Sequence, residues 1–294
     1  MARRTRLDAE LVRRGLARSR EQAAELVTAG RVEVRGVVAA KVAAMVDPAD
    51  PLRVLGSDPA NEYVSRGGHK LAGALDAFDG VVVAGRRCLD AGASTGGFTD
   101  VLLRAGAREV VAVDVGYGQL AWSLRTDGRV RVIDRTNVRS LAADQIGGVC
   151  DVIVADLSFI SLRLVLDALA ACLAPDGDLV PMVKPQFEVG KQRVGPGGVV
   201  RDPALRAGAV LDVAAYAAGL GLGVLGVVAS PLPGPSGNVE FFLWLRRGPG
   251  AVDAAAIRNV VEAGVPVDPG TTATDASLAR DPRATADGHD GEGH

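Results

Sequence analysis

The 294-residue chain is 48% hydrophobic and 23% charged, with a formal net charge of −2. Those totals describe an ordinary soluble globular protein with room for one large domain and one small one, and the overall charge gives no sign of a nucleic-acid partner. Three widely spaced cysteines, Cys88, Cys150 and Cys172, form no C-x-x-C pair, which argues against a disulfide framework or a zinc site and fits a reducing cytoplasm.

Charge is unevenly spread: residues 1–36 hold nine arginines against five acids, and residues 268–294 hold six acids against two arginines. Met1-Ala2-Arg3-Arg4 is basic, but no apolar run follows, so no signal peptide is expected. Leu7, Leu11 and Val12 recur at helical spacing as far as Gly15. Ser19-Arg20-Glu21-Gln22 is a capping-box pattern. It opens a helix with Ala23, Leu26 and Val27 on one face, stopped by Gly30. Val32, Val34 and an Arg35-Gly36 turn begin a small strand pair that continues to Val46. Arg13, Arg14, Arg18 and Arg20 cluster at the helix–helix junction, either as a solvated charged face or as a grip on phosphates that reads no sequence.

From Asp47 to Asn61, three prolines and Gly56 mark an extended connection, interrupted by the strand-like Leu52–Leu55. A domain boundary is expected near Asn61 to Val64. Ser65–Lys70 then leads into a helix whose Leu71, Leu75 and Phe78 face inward. Lys70 in a first turn would stand where the helix dipole disfavours a cation, which hints at a task unless it is an ordinary surface lysine.

The stretch Cys88–Thr99 is central. Val81–Asp90 reads as a strand with a polar interruption at Arg86 and Arg87. A glycine turn and an amphipathic helix, Phe98–Ala105, follow. An open α/β sheet holds an adenosine cofactor on such a turn, where glycines let the backbone approach closely. The next strand, Val110–Val113, ends in Asp114, whose carboxylate suits two ribose hydroxyls. The order D-x-G-x-x-x-G-G-F departs from the dinucleotide fingerprint G-x-G-x-x-G. If the turn binds anything, S-adenosylmethionine is a better expectation than a nicotinamide.

Strands and helices then alternate: helix Gln119–Arg125, strand Val130–Ile133, the polar turn Asp134–Asn137, and strand Val152–Ala155 ending in Asp156. Helix Leu162–Leu173 and strand Gly177–Val183, ending in Lys184, come next. A glycine loop, Gly190–Gly198, is long enough to be a mobile lid. Helix Ala204–Ala218 and strands Leu222–Ala229 and Val239–Leu245 close the pattern. The fold class is therefore α/β, a Rossmann-like sheet, mostly parallel with its last strand antiparallel, preceded by a small α+β domain. The uncharged run Val213–Ala229 carries four glycines and reads as a helix end, a turn and a buried strand rather than a membrane span. Beyond Val265 the composition has little to bury, and a disordered tail is expected.

Asp156 and Lys184 end neighbouring strands, Glu240 starts the last one, and Lys70 lies on the helix before the first, so the four would converge beside the cofactor. A ribose hydroxyl needs a general base before it can attack a sulfonium. A lysine with its pKa lowered by a neighbouring cation and by partial burial could serve. Lys184 is the expected base and Lys70 the cation, with Asp156 and Glu240 orienting Lys184 and the ribose. The competing reading is a pair of ordinary salt bridges at the sheet edge.

Arg6-Leu7-Asp8, Leu11-Val12, Gly15–Arg20, Ala23, Leu26-Val27, Gly30, Val32 and Val34 resemble the small RNA-binding domain first named in ribosomal protein S-four. Lys70, Asp156, Lys184 and Glu240 match in order the Lys-Asp-Lys-Glu tetrad of ribose 2′-O-methyltransferases related to FtsJ. With Ser65–Leu71, Asp90–Phe98, Val115–Leu120, Ala155–Ser161, Val183–Gly190 and Pro231–Glu240, the chain from about residue 5 to 247 resembles the TlyA family. That family joins the two domains and methylates cytidine riboses in ribosomal RNA. The resemblance implies an S-four-type domain at 1–60, a linker at 61–64, an FtsJ-like domain at 65–250 and an acidic, disordered tail at 251–294. It implies S-adenosylmethionine held by Asp90, Gly92, Ala93, Ser94, Thr95, Gly96, Gly97, Phe98, Asp114, Thr136 and Asn137. It implies RNA contacts from Arg4, Arg6, Arg14, Arg18, Arg20 and Lys41. The substrate would be ribosomal RNA within assembled small or large subunits, and the protein a cytoplasmic monomer without metal or membrane. The rivals are a non-catalytic RNA-binding or ribosome-assembly factor and a nicotinamide oxidoreductase. A pore is disfavoured despite the family's haemolysin label, because no span or amphipathic membrane face is evident.

Overall fold

The computed structural model describes residues 4–14, 16–17, 19–55, 63–234 and 236–263. The chain divides into two compact units, Met1–Glu62 and Tyr63–His294. Gly15, Arg18 and the segment 56–62, where the linker begins, lie outside the described residues, as do Pro235 and 264–294.

The first unit contains β1 (Thr5–Arg6), α1 (Leu7–Arg13), α2 (Arg20–Thr28), β2 (Val32–Val34), β3 (Val37–Val38), β4 (Met45–Val46) and β5 (Leu52–Val54). Ser19 caps α2 by accepting the Gln22 amide at 3.1 Å, as the capping pattern predicts. Leu7, Leu11, Ala23, Leu26, Val27, Val32 and Val46 form its core. The strands pair as β1-β4 and as β3-β2-β5.

The second unit begins with α3 (Arg66–Ala77), β6 (Arg87–Ala91), α4 (Gly97–Arg104), β7 (Glu109–Val113), α5 (Trp122–Arg125), β8 (Val130–Ile133) and β9 (Cys150–Ala155). It continues through α6 (Leu166–Cys172), β10 (Leu173–Val183), α7 (Pro185–Glu188), α8 (Pro203–Gly219), β11 (Leu222–Ala229), β12 (Phe241–Arg247) and α9 (Ala254–Ala263). Seven strands form one sheet in the order β11-β12-β10-β9-β6-β7-β8. β6, β7, β8, β9 and β10 run parallel, and β12 lies antiparallel between β10 and β11. The parallel strands are apolar on both faces because helices cover both. Leu89, Val111, Ile153 and Leu179 pack with α6, α8 and α9. Their alternating neighbours Cys88, Val110, Val152 and Val180 pack with α3, α4 and α5.

Strand order reverses between β6 and β9, and that switch point places a crevice beyond their carboxyl ends. The turn after β6 approaches the turn after β9 so closely that a Cβ on Gly92 would lie 2.6 Å from the Asp156 carbonyl oxygen.

Several expected boundaries move. β6 starts at Arg87 because Val83–Arg86 forms a turn, the Arg86 amide donating to the Val83 carbonyl, through Gly85, whose φ is +73°. The expected helix Gln119–Arg125 shrinks to Trp122–Arg125, since Ala121 donates its amide to Thr95 instead of continuing a helix backwards. The helix expected from Leu162 opens as a short 3-10 turn, Leu162–Leu164, and becomes α-helical only at Leu166. The glycine loop folds into two 3-10 turns. Val189, Val194 and Val200 pack there with Leu205 and Ala209. Asn238 bridges the Val200 amide and the Gly198 carbonyl, so this loop is fastened. The tail expected from residue 251 is corrected: Ala254–Ala263 is helical, with Ile257 and Val261 buried against the sheet's helical layer.

Gly97 opens α4 where the start of α3 presses against it. A Cβ there would meet Ser65 Oγ, and the Gly68 amide nitrogen at 2.8 Å. Ala in a helix ordinarily gains about 0.5–1 kcal/mol over Gly. Here overpacking against backbone outweighs that gain, and Gly97→Ala should destabilise the fold by about 1–3 kcal/mol, read as a lower Tm in thermal unfolding.

Candidate active site

The crevice holds a cavity of about 280 Å³. The turn after β6 supplies Gly92, Ala93, Ser94, Thr95, Gly97 and Phe98, and the start of α3 supplies Ser65, Arg66, Gly67 and Lys70. Asp156 and Ser158 follow β9, Lys184 follows β10, and Pro233 completes the wall. Gly92 at φ +89°, Ser94 at +48° and Gly96 at +98° turn the chain sharply enough to present backbone to the cavity.

Two ion pairs lie here, one buried on both sides and one whose carboxylate is partly exposed. Lys184 Nζ stands 2.6 Å from Asp156 Oδ1 and donates to Ser158 Oγ at 2.9 Å. Lys70 Nζ lies 2.5 Å from Glu240 Oε2. Lys70 and Lys184 are only 7% and 8% exposed, so each ammonium depends on its carboxylate for solvation lost on burial. Of the two acids expected to orient Lys184 and the ribose, Asp156 meets Lys184, whereas Glu240 pairs with Lys70 and balances its charge. Lys70 also sits in the second turn of α3, because the helix already starts at Arg66. The dipole at a first turn therefore does not explain it. Glu240 precedes β12 and stands behind Lys70 without lining the cavity.

The expected cofactor residues divide. Those of the glycine turn line the cavity, Gly96 excepted. Asp114 ends β7, and its two carboxylate oxygens accept the amides of Ser94 and Gly116 at 2.8 and 2.7 Å. It thus ties the glycine turn to the next loop, outside the cavity lining. Thr136 and Asn137 bond locally, to the Asp134 carbonyl and the Arg139 amide, and do not line the cavity. Asp90 is wholly buried under the turn. Its Oδ2 accepts from Thr99 at 2.7 Å, while Oδ1 has no hydrogen-bond partner among the described residues. Burial, helped by the negative charges of Asp156 and Asp114, pushes its carboxyl up to about 7 against the opposing Thr99 bond.

Ser158 and Phe159 were missed by sequence reasoning, although both sit in the quoted run Ala155–Ser161. Phe159 is held at φ +64°, 91% exposed, its ring 5.3 Å from that of Phe187. A left-handed Phe is strained and persists only when its surroundings fix it. Tyr117, also exposed, carries the Arg135 guanidinium 4.3 Å above its ring. Burial pushes the Cys88 and Cys150 thiols up to about 12, which makes them inert packing. Among the described residues no cluster suits a metal ion, and no helix is long and apolar enough to cross a membrane.

In the first unit, two buried acids organise the arginines. Asp8 pairs with Arg6 at 2.9 Å and Arg20 at 2.8 Å. Glu10 pairs with Arg13 at 2.6 Å and Arg14 at 2.8 Å. The Arg6 hydrogen bond, reinforced by Arg20, holds the Asp8 carboxyl well below its usual range, and Arg13 with Arg14 brings Glu10 down to about 2. Arg14 also donates to the carbonyls of Asp50 and Pro48, so its guanidinium is engaged in holding a loop. Arg6 and Arg20 remain about half exposed, and Arg4 and Lys41 are exposed. Arg18 lies outside the described residues.

Residues 63–247 match the FtsJ-like methyltransferase family, and residues 5–52 match the S4 domain. The 16S/23S rRNA (cytidine-2′-O)-methyltransferase TlyA of Mycobacterium tuberculosis is 65% identical over 246 residues, 84% of this chain and 91% of that protein. YqxC of Bacillus subtilis, provisionally described as an rRNA methyltransferase, is 45% identical over 82% of this chain and 85% of its own length. A solved structure from Streptococcus thermophilus, provisionally described as a hemolysin, has a TM-score of 0.70 and 39% identity. It covers 89% of this chain and 95% of its own.

Asp90 gives a signed pH dependence. Its folded pKa is raised from an ordinary 3.8 to about 7, so the stability it permits is complete below about pH 4 and is lost as pH rises through 7. The shift corresponds to roughly 4 kcal/mol at most. Asp90→Asn removes the ionisation, so its Tm advantage over the parent should grow from pH 5 to pH 8. A difference that stays constant with pH would show that Asp90 does not titrate in this range.

Proposed function

The chain belongs to the TlyA family, an S4 domain followed by an FtsJ-like methyltransferase domain, and we propose that it methylates the 2′-oxygen of cytidine in ribosomal RNA, using S-adenosylmethionine and Lys184 as general base. The observation that carries this reading is the Lys184–Asp156 pair in the wall of a cavity built from the glycine turn.

The residues fit an adenosine cofactor. The cavity is close to the lower end of ligand pockets, about 300–1,000 Å³. Its wall includes Gly92 and Ser94 at positive φ, which bring the backbone of the turn up to the cavity. Gly92 through Phe98 would hold the cofactor, with Asp114 fixing the turn and offering its remaining lone pairs to ribose hydroxyls. When bound, S-adenosylmethionine supplies an electrophilic methyl group. Lys184 Nζ, in its amine form, takes the proton from the 2′-hydroxyl and leaves the oxygen nucleophilic. Asp156 and Ser158 aim that nitrogen, and Glu240 keeps Lys70 at the adjoining wall. Phe159 offers an exposed ring on which an unstacked base can rest. Arg4, Arg6, Arg20 and Lys41 are the phosphate contacts of the S4 unit, with Arg18 added by its place in the motif. Arg14 serves mainly to hold the Asp47–Asp50 loop.

Transfer of a labelled methyl group to purified, unmodified small and large ribosomal subunits tests this reading. Label should appear on rRNA with the parent protein. Lys184→Ala should lower transfer by about 100-fold or more while cofactor affinity changes little. Equal loss of transfer and cofactor binding would make Lys184 structural, and no label on either subunit would end the assignment. Deleting residues 1–60 should preserve cofactor binding, measured by calorimetry, and abolish transfer to subunits. Full activity after the deletion would reduce the arginines to a solvated face.

A further inference from the structure

The loop from Asp156 to Ser161 carries both partners of the Lys184 ammonium and the strained Phe159. At its near end the sheet holds it: the Asp156 amide donates to the Ala91 carbonyl at 3.0 Å. At its far end Leu162 is buried in the core, and the hydrogen bonds that fix the chain there come from one buried side chain, Glu188. Glu188 Oε1 accepts the Leu162 amide at 2.7 Å, and Glu188 Oε2 accepts from Ser161 Oγ at 2.6 Å. Arg163 stands further off, 3.5 Å from Oε2. The carboxylate is thus directed first at the loop, through two charge-assisted hydrogen bonds, and only second at a counter-ion.

Glu188 ends α7, the single turn that Lys184 begins as its N-cap residue. The lysine and the clamp therefore share one short rigid element. A closed circuit results: Lys184 Nζ to Asp156 and Ser158, along the loop to Ser161 and Leu162, across to Glu188, and back through α7 to Lys184. If the far end came loose, Asp156 and Ser158 could move without breaking any sheet hydrogen bond. The left-handed Phe159 would have a lower-energy conformation to relax into. Misplacing a reacting group by about 1 Å costs on the order of 100-fold in rate.

We propose that Glu188 is a positioning residue for methyl transfer, fixing the Asp156–Ser161 loop so that Asp156 and Ser158 hold the Lys184 nitrogen in one direction. This rests on the methyltransferase reading above. Glu188 touches neither cavity nor substrate, so its effect belongs in kcat, with cofactor affinity untouched.

The test compares the full chain with Glu188→Ala, Glu188→Gln, Ser161→Ala and the double variant Ser161→Ala/Glu188→Gln, using labelled S-adenosylmethionine and unmodified ribosomal subunits. Glu188→Ala should lower kcat by about 10- to 100-fold, with KM for subunits and cofactor Kd within about twofold of the parent. Glu188→Gln keeps the shape and loses the charge, and Ser161→Ala removes one bond, so each should lower kcat by about three- to tenfold. Because both weaken the Ser161–Glu188 contact, the double variant should lose less than the product of the two single losses. The limb of the pH–rate profile that reports the base should also shift in the glutamine variant. If Glu188→Ala fails to fold, the milder variants and their coupling decide. Parent-like kcat in the glutamine and serine variants, or losses that multiply in the double variant, would overturn the inference. So would kcat falling only in proportion to folded protein. An inactive parent would instead overturn the methyltransferase reading itself, which the parent reaction run alongside distinguishes.

Discussion

Two lysine ammonium groups are buried at the carboxyl edge of the sheet, and the surrounding architecture supplies each with its own carboxylate. A buried cation without such a partner would cost several kcal/mol. Meeting that requirement draws on four separate places in the second unit: α3 for Lys70, the end of β9 for Asp156, the end of β10 for Lys184, and the residue before β12 for Glu240. The antiparallel insertion of β12 beside β10 is what brings Glu240 to the edge where the parallel strands end. A parallel β12 would deliver it to the opposite edge and leave Lys70 uncompensated.

The same edge is where backbone crowds backbone. Gly92 lets the β6 turn lie against the Asp156 carbonyl, and Gly97 lets α4 begin against the start of α3. These approaches set the distance between the glycine turn and the lysine pairs, and so the size of the cavity. Asp90 is buried as a consequence: alternation along β6 points it at α4, where Thr99 supplies a hydrogen bond and the side chain is closed off from solvent. Its raised pKa records that confinement.

In the first unit, electrostatics does a different task. Asp8 and Glu10 lie under four arginines and hold their guanidinium groups in fixed positions. A cluster of arginines without these acids would repel itself and spread. With them, Arg6 and Arg20 stay about half exposed while anchored to Asp8.

The alternation of apolar strands and helices determined the α/β class and the parallel sheet, because a strand covered on both faces must be apolar throughout, as Val110–Val113 and Val152–Ala155 are. Local chemistry likewise marked the Ser19 cap and the glycine turn. Boundaries failed where tertiary hydrogen bonds override propensity, as at Ala121, or where a short alanine-rich helix packs Ile257 and Val261, one turn apart, into the core. The sequence placed Lys70, Asp156, Lys184 and Glu240 in order but not in pairs. Which lysine meets which acid depends on contacts spanning 170 residues between Lys70 and Glu240, and no local pattern encodes that. Ser158, Phe159 and Glu188 stayed hidden for the same reason: a serine, an aromatic and an acid acquire their meaning only when the sheet edge puts them beside Lys184 and one another.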